Sequence, residues 1–213
     1  MPSLNIVSDV VCPWCYIGKH RLDKALQELR NESPELALDI HWLPFELNPG
    51  LPPQGMPRDE YCVRKFGSLE YANRLYENVA ANARADGLPI HLERISVTPN
   101  TRLAHRLIWF AEQQGLADQM VDQLFIAYFV DGNDIGEPET LAAVAAIAGL
   151  DKAVVSAFLA SDEGLEPCAA LAEQAYDSGA QGVPAYLWGE QWLFTGAQAS
   201  ETIAAILRQR LGL

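Results

Sequence analysis

The sequence lacks a second pair of closely spaced cysteines, a long apolar run and an excess of basic residues. Its 213 residues include four cysteines, and only Cys12 and Cys15 lie near each other. A structural zinc site usually takes four soft ligands from two such pairs, so the single pair disfavours zinc and we expect no metal. No window approaches the ~20 apolar residues that a membrane span needs, and we therefore expect no membrane partner.

Acidic residues outnumber basic ones. The chain carries 28 aspartates and glutamates against 15 lysines and arginines, a formal net charge of −13. A surface of this sign repels nucleic acid and anionic membranes, so nucleic acid is not an expected partner. Hydrophobic residues make up 49% of the chain, which is a typical share for a globular protein with a sizeable core.

The first residues show no basic segment followed by an apolar one, as a signal peptide would have, so the cytoplasm is the expected compartment. Structural disulfides are rare there. The two close cysteines are therefore interpreted as a catalytic pair. Cys62 and Cys168 stand alone in helical segments. They are interpreted as small buried apolar side chains, with a regulatory second disulfide as the alternative.

The redox motif, Cys12-Pro13-Trp14-Cys15, directly follows a predicted buried strand over residues 4–8. A helix is predicted from Pro13 to about Arg30, since proline suits the first helical turn. Unpaired N–H groups and the helix dipole favour a negative charge at this end of a helix, and the thiolate is the reactive form of cysteine. The motif therefore predicts thiol–disulfide exchange.

Each residue of the redox motif has a predicted role. Cys12 is expected to be the attacking sulfur, exposed at the start of the helix, and Cys15 the thiol that resolves the mixed disulfide. Pro13 and Trp14 are expected to tune the redox behaviour of the pair. Further along the same helix, Lys19 belongs to the face that is predicted to be exposed to solvent.

Strand patterns recur only near the two ends of the chain, at residues 36–42, 184–188 and 191–194. The first of these alternates in polarity and should pair in parallel with the opening strand, as in a β-α-β unit. A loop rich in proline and glycine follows at 44–53, residues 57–178 have helical patterns, and a helix over 197–211 closes the chain. The two ends should therefore share one sheet, with the helical segment inserted between them.

Gly182-Val183-Pro184 opens the first of the two late strands. A proline at the start of a strand is sterically tolerated, and that is the simple interpretation. The alternative is a cis Val183–Pro184 bond that faces the cysteines, because cis bonds occur at proline and serve a specified geometry. Such a bond would turn the Val183 backbone toward the extended chain of a substrate.

Three polar residues, Asp9, His20 and His105, have positions that bear on the site. Asp9 ends the first strand and is interpreted as a cap or turn residue, with proton acceptor for Cys15 as the alternative. His105 is interpreted as a surface or hydrogen-bonded residue. His20 lies about two helical turns beyond Cys12, which predicts a surface position.

Several stretches together resemble the DsbA-like branch of the thioredoxin superfamily, in particular the FrnE-type proteins. They are residues 8–19, 44–49, 99–106, 124–129, 134–135 and 182–184. The resemblance implies an α/β thioredoxin fold, β-α-β then β-β-α, with a large helical insertion. The thioredoxin-like domain would comprise residues 1–50 and 180–213, and the inserted domain residues 51–179.

The resemblance also implies site residues. It favours the cis bond at Val183-Pro184 and places Asn100 and His105 in the lining of a substrate groove above Cys12. Some FrnE-type proteins carry an additional C-terminal cysteine pair. This chain has none, so an internal electron relay is not expected.

The expected activity is exchange of disulfides in proteins or small molecules, without metal or nucleotide. A reducing cytosol favours reduction or isomerisation with glutathione as a co-substrate, and a homodimer is compatible with the sequence. A glutathione-dependent isomerase or transferase is the alternative. It resembles the kappa-class transferases and 2-hydroxychromene-2-carboxylate isomerases, which typically carry serine at the position of Cys12. A non-catalytic, chaperone-like module is the third alternative.

Overall fold

A computed structural model describes residues 2–180 and 182–213. In chain order its elements are β1 (Ser3–Ser8), α1 (Pro13–Glu32), β2 (Asp39–Pro44), β3 (Met56–Pro57), α2 (Arg58–Phe66), α3 (Leu69–Ala85), a 3-10 turn (Leu92–Arg94), β4 (Val97–Thr98), α4 (Arg102–Glu112), α5 (Ala117–Phe129), α6 (Pro138–Ile147), α7 (Lys152–Leu159), α8 (Leu165–Asp177), β5 (Ala185–Trp188), β6 (Gln191–Thr195) and α9 (Ser200–Leu211). Within the described ranges, no helix is both long and apolar enough to cross a membrane.

The central sheet draws two strands from each end of the chain. Its order is β2-β1-β5-β6. β1 runs parallel to β2 and antiparallel to β5, while β5 and β6 form an antiparallel hairpin. The predicted parallel pairing and the predicted shared sheet are confirmed. The division into two domains at residues 50 and 180 stays a prediction, because one continuous cluster of buried apolar side chains includes residues from both parts.

The second strand begins later than its sequence pattern indicates. The alternation suggests residues 36–42, but β2 spans Asp39–Pro44. Its register follows β1, since Ser3 pairs with Asp39 and Ser8 with Pro44. A strand can extend only as far as its partner offers hydrogen bonds, so the length of β1 decides the bounds of β2.

A second, two-stranded sheet lies within the segment that reads as helical. β3 pairs with β4, Met56 opposite Thr98 and Pro57 opposite Val97. Two-residue strands are too short to show a periodic pattern, and these two are joined only by long-range pairing. For this reason the sequence analysis did not predict β3 and β4.

Side chains of the central sheet alternate between two apolar faces. Leu4, Ile6 and Tyr186 join the main buried cluster, to which α1 and α9 also contribute. Val7 and Leu187 point to the opposite face, which α8 covers. The sheet is thus buried on both faces, and the carboxyl end of β1 opens directly into the redox motif.

Lys19 is buried, which corrects the prediction that it faces solvent. Only 3% of its side chain is exposed, and its Nζ lies 2.8 Å from Asp23, 2.9 Å from Asp122 and 3.2 Å from Asp118. Asp118 and Asp122 belong to α5, which packs against this side of α1. Burial lowers the pKa of Lys19, but the three carboxylates outweigh it and raise that pKa. The ammonium therefore ties the redox helix to the helical segment.

Replacing Lys19 with methionine should lower the free energy of unfolding by about 1–3 kcal/mol at neutral pH. Removing one partner of a fully buried pair costs about 3–5 kcal/mol, and the half-exposed carboxylates here are partly screened by solvent. Lys24→Met, at an exposed position of the same helix, should change the stability by no more than a few tenths of a kcal/mol. Urea denaturation of both variants measures the difference.

The Lys19→Met penalty should shrink on acidification. Burial raises the pKa of Asp23 and Asp122, and Lys19 offsets part of that effect. Their folded-state pKa values lie above those of the unfolded chain, so protonation through these groups favours the fold as the pH falls. In Lys19→Met the pKa values of Asp23 and Asp122 rise further. These carboxylates are therefore protonated, and stop repelling each other, at a higher pH than in the wild type. A penalty that stays constant from neutral pH to about pH 4 would contradict this account.

Gly18→Ala should destabilise the fold, although alanine is the better helix former. A Cβ on Gly18 would lie 2.7 Å from the Tyr186 hydroxyl oxygen and 3.0 Å from Cγ of Pro184. Tyr186 is 1% exposed and stacks on Phe194, so it cannot easily withdraw. We expect a loss of about 1–3 kcal/mol from overpacking, measured by urea denaturation. Gly50→Ala, where the added Cβ meets no atom within 4 Å, should be close to neutral.

Candidate active site

The redox motif lies at the junction of β1 and α1. Cys12 is the N-cap residue of α1, with φ −87° and ψ 113°, and Pro13 opens the helix. The Cys12 N–H donates to the Asp9 carbonyl at 3.0 Å, which closes the turn, and the Cys12 carbonyl accepts from Cys15 N–H at 3.0 Å. The Cys12 side chain makes no capping hydrogen bond with this helix end.

Cys12 is more enclosed than the sequence suggests. Its side chain was expected to be exposed, but only 5% of the residue is accessible. Its Sγ lies 3.7 Å from the carbonyl oxygen of Val183. The segment before β5 folds over the start of the helix, and this long-range packing is invisible in the local pattern. The sulfur of Cys12 is therefore covered on this side by Val183.

Cys15 lies one turn further into the helix and is 2% exposed. Burial raises the pKa of its thiol well above the ordinary value, and the neighbouring Cys12 sulfur raises it further. The Ser8 hydroxyl and the Asp9 backbone lower that pKa by smaller amounts. Both cysteines are free thiols. Both sulfurs are thus buried, Cys12 at the end of the helix and Cys15 one turn further in, where burial raises the pKa of its thiol.

The peptide bond between Val183 and Pro184 is cis, which confirms the sequence prediction. Pro184 is buried and Val183 is half-buried. Both line a groove of about 470 Å³ whose other walls are Gly179, Gly182, Trp192, Thr195 and Gly196. Val183, whose carbonyl oxygen lies 3.7 Å from Cys12 Sγ, is thus also a wall of this groove.

Asp9 is a turn residue, as its favoured interpretation predicts, but its carboxylate does more than close the turn. The residue is completely buried. Its Oδ2 accepts a hydrogen bond from Leu47 N–H at 2.8 Å, and this bond fixes the loop after β2. Its Oδ1 has no hydrogen bond of normal geometry with any described residue. The carboxylate therefore has one free oxygen inside the protein.

His105 is not a surface residue. It is 6% exposed on α4, and its Nε2 lies 3.4 Å from Oδ1 of Asp9. The two atoms are close enough to attract each other, but they are not aligned as a hydrogen bond, since both count as unpaired among the described residues. α4 packs against β2, which turns this side of the helix inward. The structure thus brings together two residues that are 96 positions apart in the chain.

Asn100 uses both ends of its side-chain amide within the protein. Its Nδ2 donates to the Leu51 carbonyl at 2.9 Å, and its Oδ1 accepts from Arg102 N–H at 3.0 Å. These bonds join the loop after β2 to the start of α4. The predicted role of Asn100 in lining a substrate groove stays a prediction.

The remaining sequence candidates are Trp14 within the motif and three residues outside it. Trp14 is half-buried beside the cysteines, and His20 Nε2 is 3.2 Å from the Asp86 carbonyl at a half-buried position. Cys62 and Cys168 are buried free thiols, in keeping with the apolar interpretation. In residues 2–180 and 182–213, no three histidine, cysteine or acidic side chains are grouped so as to hold a metal ion.

Sequence reasoning missed three residues around the motif. Ser8, Trp42 and Tyr186 each bury a polar atom that has no partner among the described residues. Tyr186 packs against Gly18, and burial raises the pKa of its hydroxyl. The position of Ser8 directly before Asp9 was a usable signal. Trp42 and Tyr186 carried none, because aromatic residues in strands are usually core.

Comparison with solved structures gives three informative likenesses. A probable DsbA oxidoreductase of Streptomyces coelicolor, SCO1869, is 30% identical with a TM-score of 0.88, and the alignment covers all of this chain and 91% of that one. The cytosolic disulfide reductase DsbM of Pseudomonas aeruginosa, solved with glutathione, is 20% identical with a TM-score of 0.71 over 99% of this chain and 100% of the other.

A 2-hydroxychromene-2-carboxylate isomerase is 18% identical with a TM-score of 0.71, covering 99% of this chain and 98% of the isomerase. At that identity, as for DsbM, the likeness establishes the shared fold alone. The family model of the DSBA-like thioredoxin domain matches residues 3–208. With the fold, the redox motif and SCO1869 all in agreement, the chain belongs to the family of DSBA-like thioredoxin domains.

Proposed function

We propose that the protein is a thiol–disulfide oxidoreductase of the FrnE type that works through Cys12 and Cys15. The observation that carries this proposal is the asymmetry of the pair. Cys12 caps the amino end of α1, where helix dipoles favour a thiolate. Cys15 lies behind it, and burial raises the pKa of its thiol. Cys12 is therefore proposed to attack the substrate disulfide first, and Cys15 to react in the second step.

The proposed reaction has two exchange steps. The Cys12 thiolate attacks a substrate disulfide, forms a mixed disulfide and releases one substrate sulfur as a thiolate, which takes up a proton. Cys15 then loses its proton and attacks the Cys12 sulfur. The second substrate sulfur leaves, the substrate is reduced, and the protein keeps a Cys12–Cys15 disulfide. The reverse sequence donates that disulfide.

The proposed substrate is an extended peptide or a glutathione conjugate that binds along the groove beside Val183. The Val183 carbonyl lies 3.7 Å from Cys12 Sγ, so a chain paired with this backbone would present its sulfur to Cys12. Three of the seven residues that line the groove are glycines, which leaves its backbone open to main-chain recognition. The glutathione bound to DsbM, a protein of the same fold, supports the second substrate class.

We place the activity in the cytoplasm, with glutathione as the electron donor and without metal or further cofactor. DsbM is described as a cytosolic disulfide reductase, and in a reducing compartment a dithiol of this kind runs toward reduction. A homodimer is compatible with this proposal.

Cys12→Ser should abolish reduction of a test disulfide such as insulin by glutathione, because the attacking sulfur is gone. Cys15→Ser should retain the first step and accumulate a mixed disulfide that mass spectrometry detects. Cys62→Ser, in a separate small cluster with Tyr61 and Ala72, is the matched control and should keep wild-type turnover. Full reductase activity in Cys12→Ser would end the proposal. An unchanged biological role after replacement of both motif cysteines would instead favour the chaperone-like alternative.

The isomerase alternative predicts a different result from the same proteins. Its support is the fold shared with the 2-hydroxychromene-2-carboxylate isomerase, and its weakness is the presence of both motif cysteines. We expect wild-type protein with glutathione to reduce disulfides and to leave 2-hydroxychromene-2-carboxylate unchanged in an absorbance assay. Glutathione-dependent isomerisation that survives in Cys12→Ser would replace our assignment with the alternative.

A further inference from the structure

A groove of about 530 Å³ lies between α4 and α8 and shares no lining residue with the groove beside Val183. Its α4 wall carries Arg102, His105 and Arg106, which are spaced by three and four residues and therefore share one face of that helix. The α8 wall repeats this spacing. Its members are Leu165, Cys168, Ala169, Ala172, Glu173 and Tyr176. Small-molecule sites usually measure about 300–1,000 Å³, so this groove can hold a small ligand.

Arg106 carries a buried positive charge to this groove. The residue is only 4% exposed, and its guanidinium stays protonated in proteins. Its Nε donates to the Glu163 carbonyl at 3.0 Å, and its Nη2 donates to the carbonyls of Ser161 at 2.7 Å and Phe158 at 3.3 Å. Every acceptor that Arg106 has in the described ranges is thus a backbone carbonyl, which carries no net charge. A buried charge is costly unless an opposite charge pairs with it, and Arg106 has no such counter-charge.

The simpler interpretation of Arg106 is a cap for the carboxyl end of α7, since the three carbonyls lie at and just beyond that end. This cap uses Nε and Nη2 only. Nη1 makes no hydrogen bond with any part of the chain that the structure describes. It is also not one of the fully buried polar atoms without a partner, so it keeps contact with solvent. Because Arg106 lines the groove, the N–H donors of Nη1 are open to a ligand there.

The acidic side chains of the groove do not neutralise Arg106. Glu46 pairs with Arg102 at 3.1 Å. Glu173 is exposed on the α8 wall, and it forms no ion pair with Arg106 within residues 2–180 and 182–213. Burial raises the pKa of the Cys168 thiol to about 11, so this thiol is neutral near pH 7. The charge on Arg106 therefore remains available to an anion that enters the groove.

The rest of the groove is mostly apolar. Pro44, Ala169 and Ala172 form small parts of its wall. Leu165 and Tyr176 lie at the two ends of the α8 face, and they are 47% and 49% exposed although both are large and apolar. At a rise of about 1.5 Å per residue they are roughly 16 Å apart along the helix. An aliphatic chain can therefore lie along this face and remove apolar surface from water.

We propose that the groove between α4 and α8 binds a small aliphatic carboxylate, with the carboxylate on Nη1 of Arg106 and the chain along the apolar face of α8. A carboxylate supplies the missing counter-charge and accepts a charge-assisted hydrogen bond from the guanidinium. A phosphate group fits less well, because its second negative charge would face Glu46 and Glu173 in the same groove. The inference does not rest on the proposed disulfide exchange, since neither motif cysteine lines this groove.

The test uses octanoate as the probe and octanamide, which has the same chain and no charge, as the matched comparison. Isothermal titration calorimetry of the intact wild-type protein should show saturable binding of octanoate at millimolar concentrations. Octanamide should bind about tenfold more weakly, because it cannot form the charged hydrogen bond. Absence of saturable octanoate binding overturns the inference. Equal affinity for the two probes also overturns it, because the groove would then bind apolar chains without recognising the carboxylate.

Two neighbouring alanines of α8 provide a matched pair of variants that leave the core intact. Both are exposed, but Ala169 lines the groove and Ala170 does not. Ala169→Glu should weaken octanoate binding by about tenfold, because it adds a like charge beside the ligand, and Ala170→Glu should weaken it by less than about twofold. Equal losses in the two variants overturn the inference.

Glu173→Gln should have the opposite effect on octanoate binding. It removes a carboxylate that repels the ligand, so the affinity should increase about threefold at low salt and this gain should shrink at high salt. The affinity for octanamide should stay unchanged. Octanoate binding that is no tighter in Glu173→Gln than in the wild type contradicts the placement of the carboxylate in this groove.

Arg106→Met should remove the preference for octanoate over octanamide, and a preference retained in the folded variant overturns the inference. Arg106 also caps α7, so if circular dichroism shows that this variant does not fold, the comparison of Ala169→Glu with Ala170→Glu decides. Cys12→Ser should bind octanoate as the wild type does. Loss of binding there would place the ligand at the redox motif and overturn the inference, whereas disulfide reduction that survives in Cys12→Ser would contradict only the proposed function.

Discussion

A completely buried carboxylate at the end of β1 organises the region around the cysteines. The Asp9 backbone accepts from Cys12 N–H and closes the turn into α1. One carboxylate oxygen holds the loop after β2 through Leu47, and the other lies beside His105 of α4. All of these contacts involve the backbone or the side chain of Asp9. The redox motif, the loop and the helical segment are therefore fixed by one residue.

A second constraint acts on the other side of α1. Lys19 is surrounded by three carboxylates, two of them from α5, and Tyr16 of the same helix stacks on Phe129 at 5.4 Å between ring centroids. Together with the close approach of Gly18 to Pro184 and Tyr186, these contacts leave α1 little freedom to shift. A rigid helix keeps its N-terminal dipoles aimed at Cys12, on which the proposed nucleophilicity depends.

The helical segment thus contributes to the surroundings of the redox motif as well as to the core. Its side chains anchor α1, cover the motif and supply His105. Cys15 shows the effect of these surroundings, because burial raises the pKa of its thiol. A thiol of this kind reacts quickly only if the surrounding protein can take its proton.

The sequence by itself determined the parallel pairing of the first two strands and the sharing of one sheet by the two ends of the chain. A cysteine pair after an apolar strand, a proline at the first helical turn and Val183-Pro184 before a late strand are local signals, and the structure reproduces the parallel β1–β2 pair, the helix start and the cis bond. Tertiary structure alone decided the burial of Cys12 and Lys19, the bounds of β2, the β3–β4 pair and the meeting of Asp9 with His105. Each of these features depends on which distant segment packs against the residue. The local sequence around an ionisable side chain does not indicate whether that side chain contacts water or a buried partner.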